Sequence, residues 1–327
     1  MGEGPMKFTT LGNCKTRLSV IGLGGMAMTN IYGSANKTET IGVVHAAIDN
    51  GVNFIDTSDA YGGGKNEEML SLALKGKREQ VFLATKFGNL GGSANGRPEY
   101  VFQACESSLK RLQIDVIDLY FQHRVDPAVP IEETVGAMSQ LVEQGKVKYL
   151  GLSEAGPDTI RKAHKTHPIT ALQTEYSLWT RFVEKDYLPL VRELGIGFVA
   201  YSPLGRGMLT GLIKNQNSLN EGDRRFDHPR FGIENIEKNA ELLSPFFEIA
   251  KAKNLTAAQL ALSWLLAQGD DILPIPGTKS LHHLIENIKA VDIKLSQQEI
   301  TAINDSFDPN SVLGTRYPAK QLDGLGI

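Results

Sequence analysis

The sequence predicts an α/β protein built as a closed (β/α)8 barrel, and three observations lead there. Short apolar, β-branched runs alternate with amphipathic stretches along almost the whole length. Eight such runs can be marked, at 19–25, 53–58, 81–88, 116–123, 147–154, 171–177, 197–204 and 271–277. Polar residues with usable chemistry also recur near the C-terminal ends of these runs, the face that carries the active site in barrel enzymes.

Taken in order, "KFTTLGNCKTRLS" (7–19) reads as a short hairpin ahead of the first barrel strand. In "SVIGLGG" and the residues after it, Gly22, Gly24 and Ala27 match G-x-G-x-x-A. That fingerprint needs a helix opening at its second glycine, whereas "TNIYGSAN" reads as a loop and the next helix starts near Thr38. The glycines are therefore read as letting the backbone run close to a ligand or to a neighbouring strand. The second run ends on Asp56, a carboxylate that needs a partner if buried. Lys86, near the end of the third run on the adjacent strand, supplies one. Tyr61 follows in "DAYGGG" and His123 ends the fourth run. Ser153 and Glu154 end the fifth, Gln173 lies in the sixth, and Tyr201 and Ser202 fall near the end of the seventh. A lysine at a strand end is ordinarily a snorkelling surface residue and a lone histidine a satisfied rim residue, so the site rests on their coincidence on one face. Between the runs, stretches such as "TETIGVVHAAIDNG" and "IEETVGAMSQLVEQG" repeat apolar residues at helical spacing and close on glycine. The segment 205–235, with "GDRRFDHPRF", is too long for an ordinary connection and is expected to be disordered or a lid.

Composition narrows the function classes. The 327 residues, 41% hydrophobic and 22% charged, fit one soluble barrel domain spanning 1–327. A net charge of -3 gives no electrostatic case for nucleic acid or an anionic membrane. Cys14 and Cys105 lie far apart without metal-like spacing, which fits a reducing, cytoplasmic compartment. "GLSEAG" is not a G-x-S-x-G elbow, and the pairs His164 and His167, and His282 and His283, lack companions for zinc, so no metal is expected. Nothing in the pattern marks an oligomer interface. A lysine cation beside Tyr61 is expected to lower its phenol pKa and make it a proton donor near neutral pH. His123 would orient a substrate oxygen. Together the four residues describe a site that protonates an oxygen while something else attacks the attached carbon. A Schiff-base role for Lys86 is disfavoured, because Asp56 keeps the amine protonated.

At these residues the chain resembles the aldo-keto reductase superfamily, from Phe8 to about Tyr317. The resemblance is carried by "NFIDTSDAYGGGKNE", "LATKFG", "IDLYFQHRVDP", "GKVKYLGLSEA", "LQTEYSLWTR", "AYSPLGRGMLTG" and "IPGTKSLHHLIENI", in that order. It implies NADPH-dependent reduction of an aldehyde or ketone, with NADH possible. Tyr61 would be the general acid, Asp56 and Lys86 its tuning pair and His123 the carbonyl-orienting residue. On the cofactor side the resemblance implies Gly24, Gly25 and Met26 near the first strand, Ser153 and Gln173 on the nicotinamide amide, and Tyr201 stacked on the ring. Ser202, Pro203, Leu204, Gly205, Arg206 and Gly207 would line the pyrophosphate. Gly277, Thr278 and Lys279 would take the 2′-phosphate, with His283 standing where many members carry arginine, and Glu286 and Asn287 would reach the adenine. Glu154 stands where many members have asparagine and could accept from the nicotinamide amide but not donate to it. The segment 205–235 matches a family loop that covers the pyrophosphate. The tail "SVLGTRYPAKQLDGLGI" resembles a branch that reduces varied aldehydes and ketones, and Tyr32, Phe87, Trp179 and Phe226 would wall the substrate. The alternative reading is a cofactor-sensing auxiliary protein on the same fold, as in the potassium-channel β-subunits.

Overall fold

The hairpin expected at the N-terminus forms from β1 (Phe8–Thr9) and β2 (Leu18–Ser19), paired antiparallel. The computed structural model describes residues 4–327. Eight parallel strands follow: β3 (Leu23–Gly24), β4 (Phe54–Asp56), β5 (Phe82–Phe87), β6 (Ile117–Gln122), β7 (Val147–Ser153), β8 (Ala171–Glu175), β9 (Gly197–Tyr201) and β10 (Ile272–Pro274). They are hydrogen-bonded side by side in chain order, β3 to β10. Two further backbone bonds join the ends: Gly22 N–H donates to Pro274 O at 2.9 Å and Gly24 N–H to Pro276 O at 3.2 Å. The sheet thereby closes on itself, giving the (β/α)8 barrel.

That seam decides what the early glycines are for. A Cβ on Gly24 would lie 2.7 Å from Ile275 O, and one on Gly22 would lie 3.0 Å from the Ile275 side chain as well as 2.8 Å from the Phe54 ring on β4. Both glycines therefore serve the close approach of first and last strands. The run 19–25 is correspondingly not one strand. Its start belongs to the hairpin, and only Leu23 and Gly24 join the barrel. Below, the hairpin carries fully buried Leu11 against the barrel floor, where a Cβ on Gly197 would meet the Leu11 side chain at 2.3 Å.

The helices on the outside are α1 (Lys37–Asp49), α2 (Lys65–Ala73), α3 (Pro98–Leu112), α4 (Ile131–Glu143), α5 (Pro157–Thr166) and α6 (Val183–Glu193). After β9 come α7 (Ile236–Leu242), α8 (Ser244–Ala252) and α9 (Ala257–Leu266), and after β10 come α10 (Leu281–Lys289), α11 (Gln297–Asn304) and α12 (Ala319–Leu322). Helix α1 begins where it does because Asn36 accepts hydrogen bonds from Thr38 N and Glu39 N, satisfying two otherwise orphaned donors. Inside the barrel, Phe54, Phe82, Ala84, Leu119, Phe121, Val199 and Leu273 pack as one apolar cluster. Above it the interior turns polar, with Asp56, Lys86, Ser153 and Gln173 all buried at the strand ends. This switch is what makes the C-terminal end the candidate site.

Two long segments roof that end. Residues 205–235 are ordered as short 3-10 turns, Gly205–Thr210, Gln216–Ser218, Arg224–Asp227 and Pro229–Phe231. They strap onto the loop after β3. Arg224 N–H donates to Ile31 O at 2.9 Å, and the Arg225 guanidinium lies 4.8 Å from the Tyr32 ring centre. From the other side the C-terminal tail reaches β7, where Gly326 N–H donates to Glu154 O at 2.8 Å. Among the described residues, no helix is long and apolar enough to cross a membrane.

Candidate active site

Strand register explains how the buried acid meets its base. Asp56 stands opposite Ala84 across β4 and β5, so Lys86, two residues further on, shares its face one step up the barrel. The fully enclosed Lys86 ammonium uses all three donors. It bonds Asp56 Oδ1 at 2.5 Å, Thr57 O at 2.8 Å and the Tyr61 hydroxyl at 3.1 Å. Asp56 Oδ2 accepts from Gln173 Nε2 at 2.8 Å. Tyr61 reaches inward from the turn after β4 and sets its ring edge-on to His123, with ring centres 5.9 Å apart. The four residues read as catalytic from the sequence thus converge on one point.

Electrostatics at that point differ from the expectation in one respect. Burial pushes the Tyr61 phenol above its ordinary value, and the opposing pull of Lys86 is the smaller effect. The cation moderates the phenol without bringing it down to neutral pH. Burial disfavours the Lys86 ammonium, but Asp56 and Tyr61 more than compensate and hold its pKa above the usual lysine range. Burial likewise raises the Asp56 carboxyl against the pull of Lys86. We read the pair as ionised, because an ammonium with three well-placed acceptors is the more strongly fixed partner. His123 is driven well below its usual pKa by burial, then by Arg124 and Lys86, so its imidazole is neutral. Its Nδ1 lies 3.0 Å from Ser58 Oγ. When that hydroxyl donates to Nδ1, the remaining ring proton sits on Nε2 and can be given to an oxygen in the cavity.

The fifth strand of the barrel contributes a second charged layer. Glu154, at a left-handed φ of 54°, does not present a free carboxylate to the cavity. It is bound by Arg316 at 2.9 and 3.0 Å and accepts from the Tyr201 hydroxyl at 2.7 Å. The expected contact with a nicotinamide amide is corrected accordingly: this glutamate anchors the tail and fixes Tyr201. Burial works against its charge, yet Arg316 holds the carboxyl below its usual range. Glu175 joins the same web, lying 3.4 Å from Arg316, 3.5 Å from Arg230 and 3.7 Å from Arg206. Tyr317 closes it, with its hydroxyl 2.9 Å from that of Tyr201 and its ring 4.8 Å from the Arg206 guanidinium.

A cavity of about 1640 Å³ opens over these groups. Met26, Tyr32, Tyr61, His123, Ser153, Gln173, Tyr201 and Arg206 all line it. The other expected wall residues do not. Phe87 is fully buried against Tyr120, with ring centres 4.9 Å apart, and packs between sheet and helices. Trp179 is likewise enclosed, under the Arg230 guanidinium, and Phe226 stands 43% exposed on the strap. Gly24 and Gly25 serve backbone approach: Gly25 N–H donates to Asp56 O at 2.7 Å. The segment Ser202, Pro203, Leu204, Gly205, Arg206 and Gly207 makes a tight loop, with left-handed φ at Ser202, Gly205, Arg206 and Gly207. Gly277, Thr278 and Lys279 lead into α10, on which His283 and Glu286 are half-buried and Asn287 is buried. The Lys279 ammonium reaches back to the carbonyls of Tyr32, Gly33 and Ser34 at 3.2, 3.0 and 2.6 Å. Ser58, Arg124, Glu175, Arg316 and Tyr317 were not read as site residues from the sequence. Ser58 and Arg124 lie beside residues that were, while the tail pair carries no spacing signal.

A parallel barrel with a phenol, a buried ammonium-carboxylate pair and a neutral imidazole at its C-terminal mouth defines a barrel protein whose site can give hydrogen bonds and a proton to a bound oxygen. Comparison with known proteins places it further. The chain belongs to the aldo/keto reductase family, whose profile matches residues 20–307. It is 47% identical over 320 residues to the probable aldo-keto reductase 1 of Glycine max, covering 96% of this chain and 91% of that one. Among solved structures it is similar to the glycerol dehydrogenase of Gluconobacter oxydans, with a TM-score of 0.82 and 28% identity over 91% of this chain and 94% of that one. It is also similar to an aldo-keto reductase of Klebsiella pneumoniae in complex with NADPH, with a TM-score of 0.75 and 27% identity over 96% and 99% of the two chains.

Proposed function

We propose that the protein reduces an aldehyde or ketone to the alcohol with NADPH, Tyr61 giving the proton to the carbonyl oxygen. The observation that carries this reading is the Lys86 ammonium bonded at once to Asp56 and to the Tyr61 hydroxyl. A hydroxyl held on a cation is a proton donor whose developing phenolate is stabilised where it forms. His123 gives a second hydrogen bond to the same oxygen through Nε2 and so fixes its direction.

The donor set fits the dinucleotide. Arg206 stands in the left-handed loop 202–207, where its buried Nη2 makes no hydrogen bond and lies 3.7 Å from the Glu175 carboxylate, so the guanidinium keeps a donor that a phosphate oxygen could take. Ser202 to Gly207 would hold the pyrophosphate, and Gly277 to Lys279 with the α10 N-terminus the 2′-phosphate. Ser153 and Gln173 would reach the carboxamide, and Tyr201 would support the ring. Bound there, the cofactor supplies the hydride. Preference for NADPH over NADH rests on Lys279, whose ammonium must exchange a carbonyl of the 32–34 loop for phosphate. Two buried free thiols, Cys14 and Cys105, support a cytoplasmic setting.

The test is absorbance at 340 nm with NADPH and a panel of aldehydes and ketones. Steady consumption on at least one carbonyl supports the reading. Tight NADPH binding with no turnover on any of them overturns it in favour of cofactor sensing. Within the same assay, Ser58→Ala lowers kcat by about 10-fold with little change in the KM for NADPH, because Nδ1 loses the donor that keeps the ring proton on Nε2. The nitrogen-15 shifts of His123 should move toward the other tautomer. Unchanged kcat and unchanged shifts would assign Ser58 no part in orienting the ring.

A further inference from the structure

Arg124, directly after His123 at the end of β6, lines the cavity and is half-buried. Its partners are His123 O at 2.6 Å, Ser153 Oγ at 3.4 Å and the Tyr317 hydroxyl at 3.4 Å, all of them neutral. A guanidinium has five N–H donors in a planar fork, so these bonds leave two without a protein acceptor among the described residues. The other partly buried arginines at this end behave differently. Arg206, Arg225, Arg230 and Arg316 lie 3.7, 2.5, 3.5 and 2.9 Å from a carboxylate. No carboxylate pairs with Arg124 among the described residues. Its nearest acting carboxylate, Glu154, is already bonded to Arg316, so the cation is only partly compensated and a ligand anion would compensate it further.

Position says what the anion belongs to. Arg124 sits on the His123 side of the mouth, where its field acts on both His123 and Tyr61. The cofactor's phosphates are assigned elsewhere, to Arg206 and to Lys279. Further out, the cavity wall carries Arg224 and Lys320. Asp126, the nearest acid in sequence, is already bound by Gly96 N and Ala128 N at 2.9 Å each.

Resting on the reductase reading above, we propose that Arg124 recognises a carboxylate borne by the substrate, so that the preferred substrates are oxoacids and aldehyde acids rather than neutral carbonyls. The planar fork presents its open N–H groups to a carboxylate as a charge-assisted pair, and the carbonyl end is thereby held at Tyr61 and His123. Arg124 is in this sense a specificity-determining residue.

The experiment compares matched pairs with NADPH: 4-carboxybenzaldehyde against 4-methylbenzaldehyde, and succinic semialdehyde against butanal. The wild-type protein should favour the acid of each pair by about 10–100-fold in kcat/KM, mainly through KM. In Arg124→Met that ratio should collapse toward one, whatever happens to absolute rates. Arg124→Lys, which keeps a charge but not the fork, should retain part of it, and serves alone if the methionine variant does not fold. A wild-type protein that turns over both members of each pair equally, or a ratio that survives in Arg124→Met, overturns the proposal and leaves the reductase reading standing. No turnover of any of the four compounds, nor of a wider carbonyl panel, would remove the reductase reading and this proposal together.

Discussion

Replacing Tyr61 with phenylalanine is expected to lower kcat for carbonyl reduction by about 10²–10⁴-fold while leaving NADPH binding nearly unchanged. The substitution removes one hydroxyl and keeps the ring that packs edge-on to His123 and lies 4.8 Å from the Lys86 nitrogen. Lys86 retains Asp56 and Thr57 as acceptors, so the pair beneath survives. The wild-type pH profile follows from the two shifts that matter here. Burial holds the phenol above its ordinary value, so Tyr61 stays protonated through neutral pH and reduction should fall only above about pH 10. The imidazole is already neutral, so no acid limb near about pH 6.5 should come from His123. Turnover above a tenth of wild type in Tyr61→Phe would assign the proton to another group. An alkaline limb near pH 8 that disappears in the variant would show a phenol tuned down after all.

The second large effect concerns stability. Lys86→Met should destabilise the fold by about 3–5 kcal/mol, because Asp56 is left buried without its counter-charge and Thr57 O without its donor. The defect has a sign in pH. Without Lys86 the buried Asp56 carboxyl must bind a proton to stay inside, so its folded pKa lies above the unfolded value of about 3.9. The folded state then holds a proton that the unfolded state releases, and stability is lost as pH rises above that value. Urea unfolding should therefore find Lys86→Met weaker at pH 8 than at pH 5. Adding Asp56→Asn should recover part of the loss, since an amide can still accept from Gln173 and carries no charge. A single variant within about 1 kcal/mol of wild type at pH 8, or a double variant no better than the single, would show that the pair is not what holds these strand ends.

Much of this was legible in the chain because the relevant information is local. Alternation of β-branched and amphipathic runs fixes eight strands. Asp56 and Lys86 end neighbouring strands, so their meeting follows from parallel pairing alone. The first strand was overestimated because "SVIGLGG" looks continuous, whereas its glycines belong to a seam formed with Pro274 and Pro276. The Tyr61 pKa was misjudged for a related reason: a sequence displays the lysine charge but not the depth of burial that opposes it. Phe87 ends β5 and Trp179 lies in the turn after β8, places where an aromatic facing the cavity and one facing the helices read alike. Glu154 and Arg316 lie 162 positions apart and share no pattern, so only the folded chain brings them together.

That separation has a consequence during synthesis. Glu154 and Glu175 are both placed by the barrel strands, but Arg316 is made much later, after a further 162 residues beyond Glu154. At about 5–20 residues per second the ribosome needs roughly 8–32 s to deliver it. Until then Glu175 has Arg206 and Arg230, themselves late arrivals, and Glu154 has only the field of Arg124. The Tyr201 hydroxyl likewise waits for Tyr317. A nascent chain therefore holds Asp56, Tyr61, Lys86 and His123 well before it holds Arg316 and Tyr317, and that late pair acts as the latch that settles the mouth of the barrel.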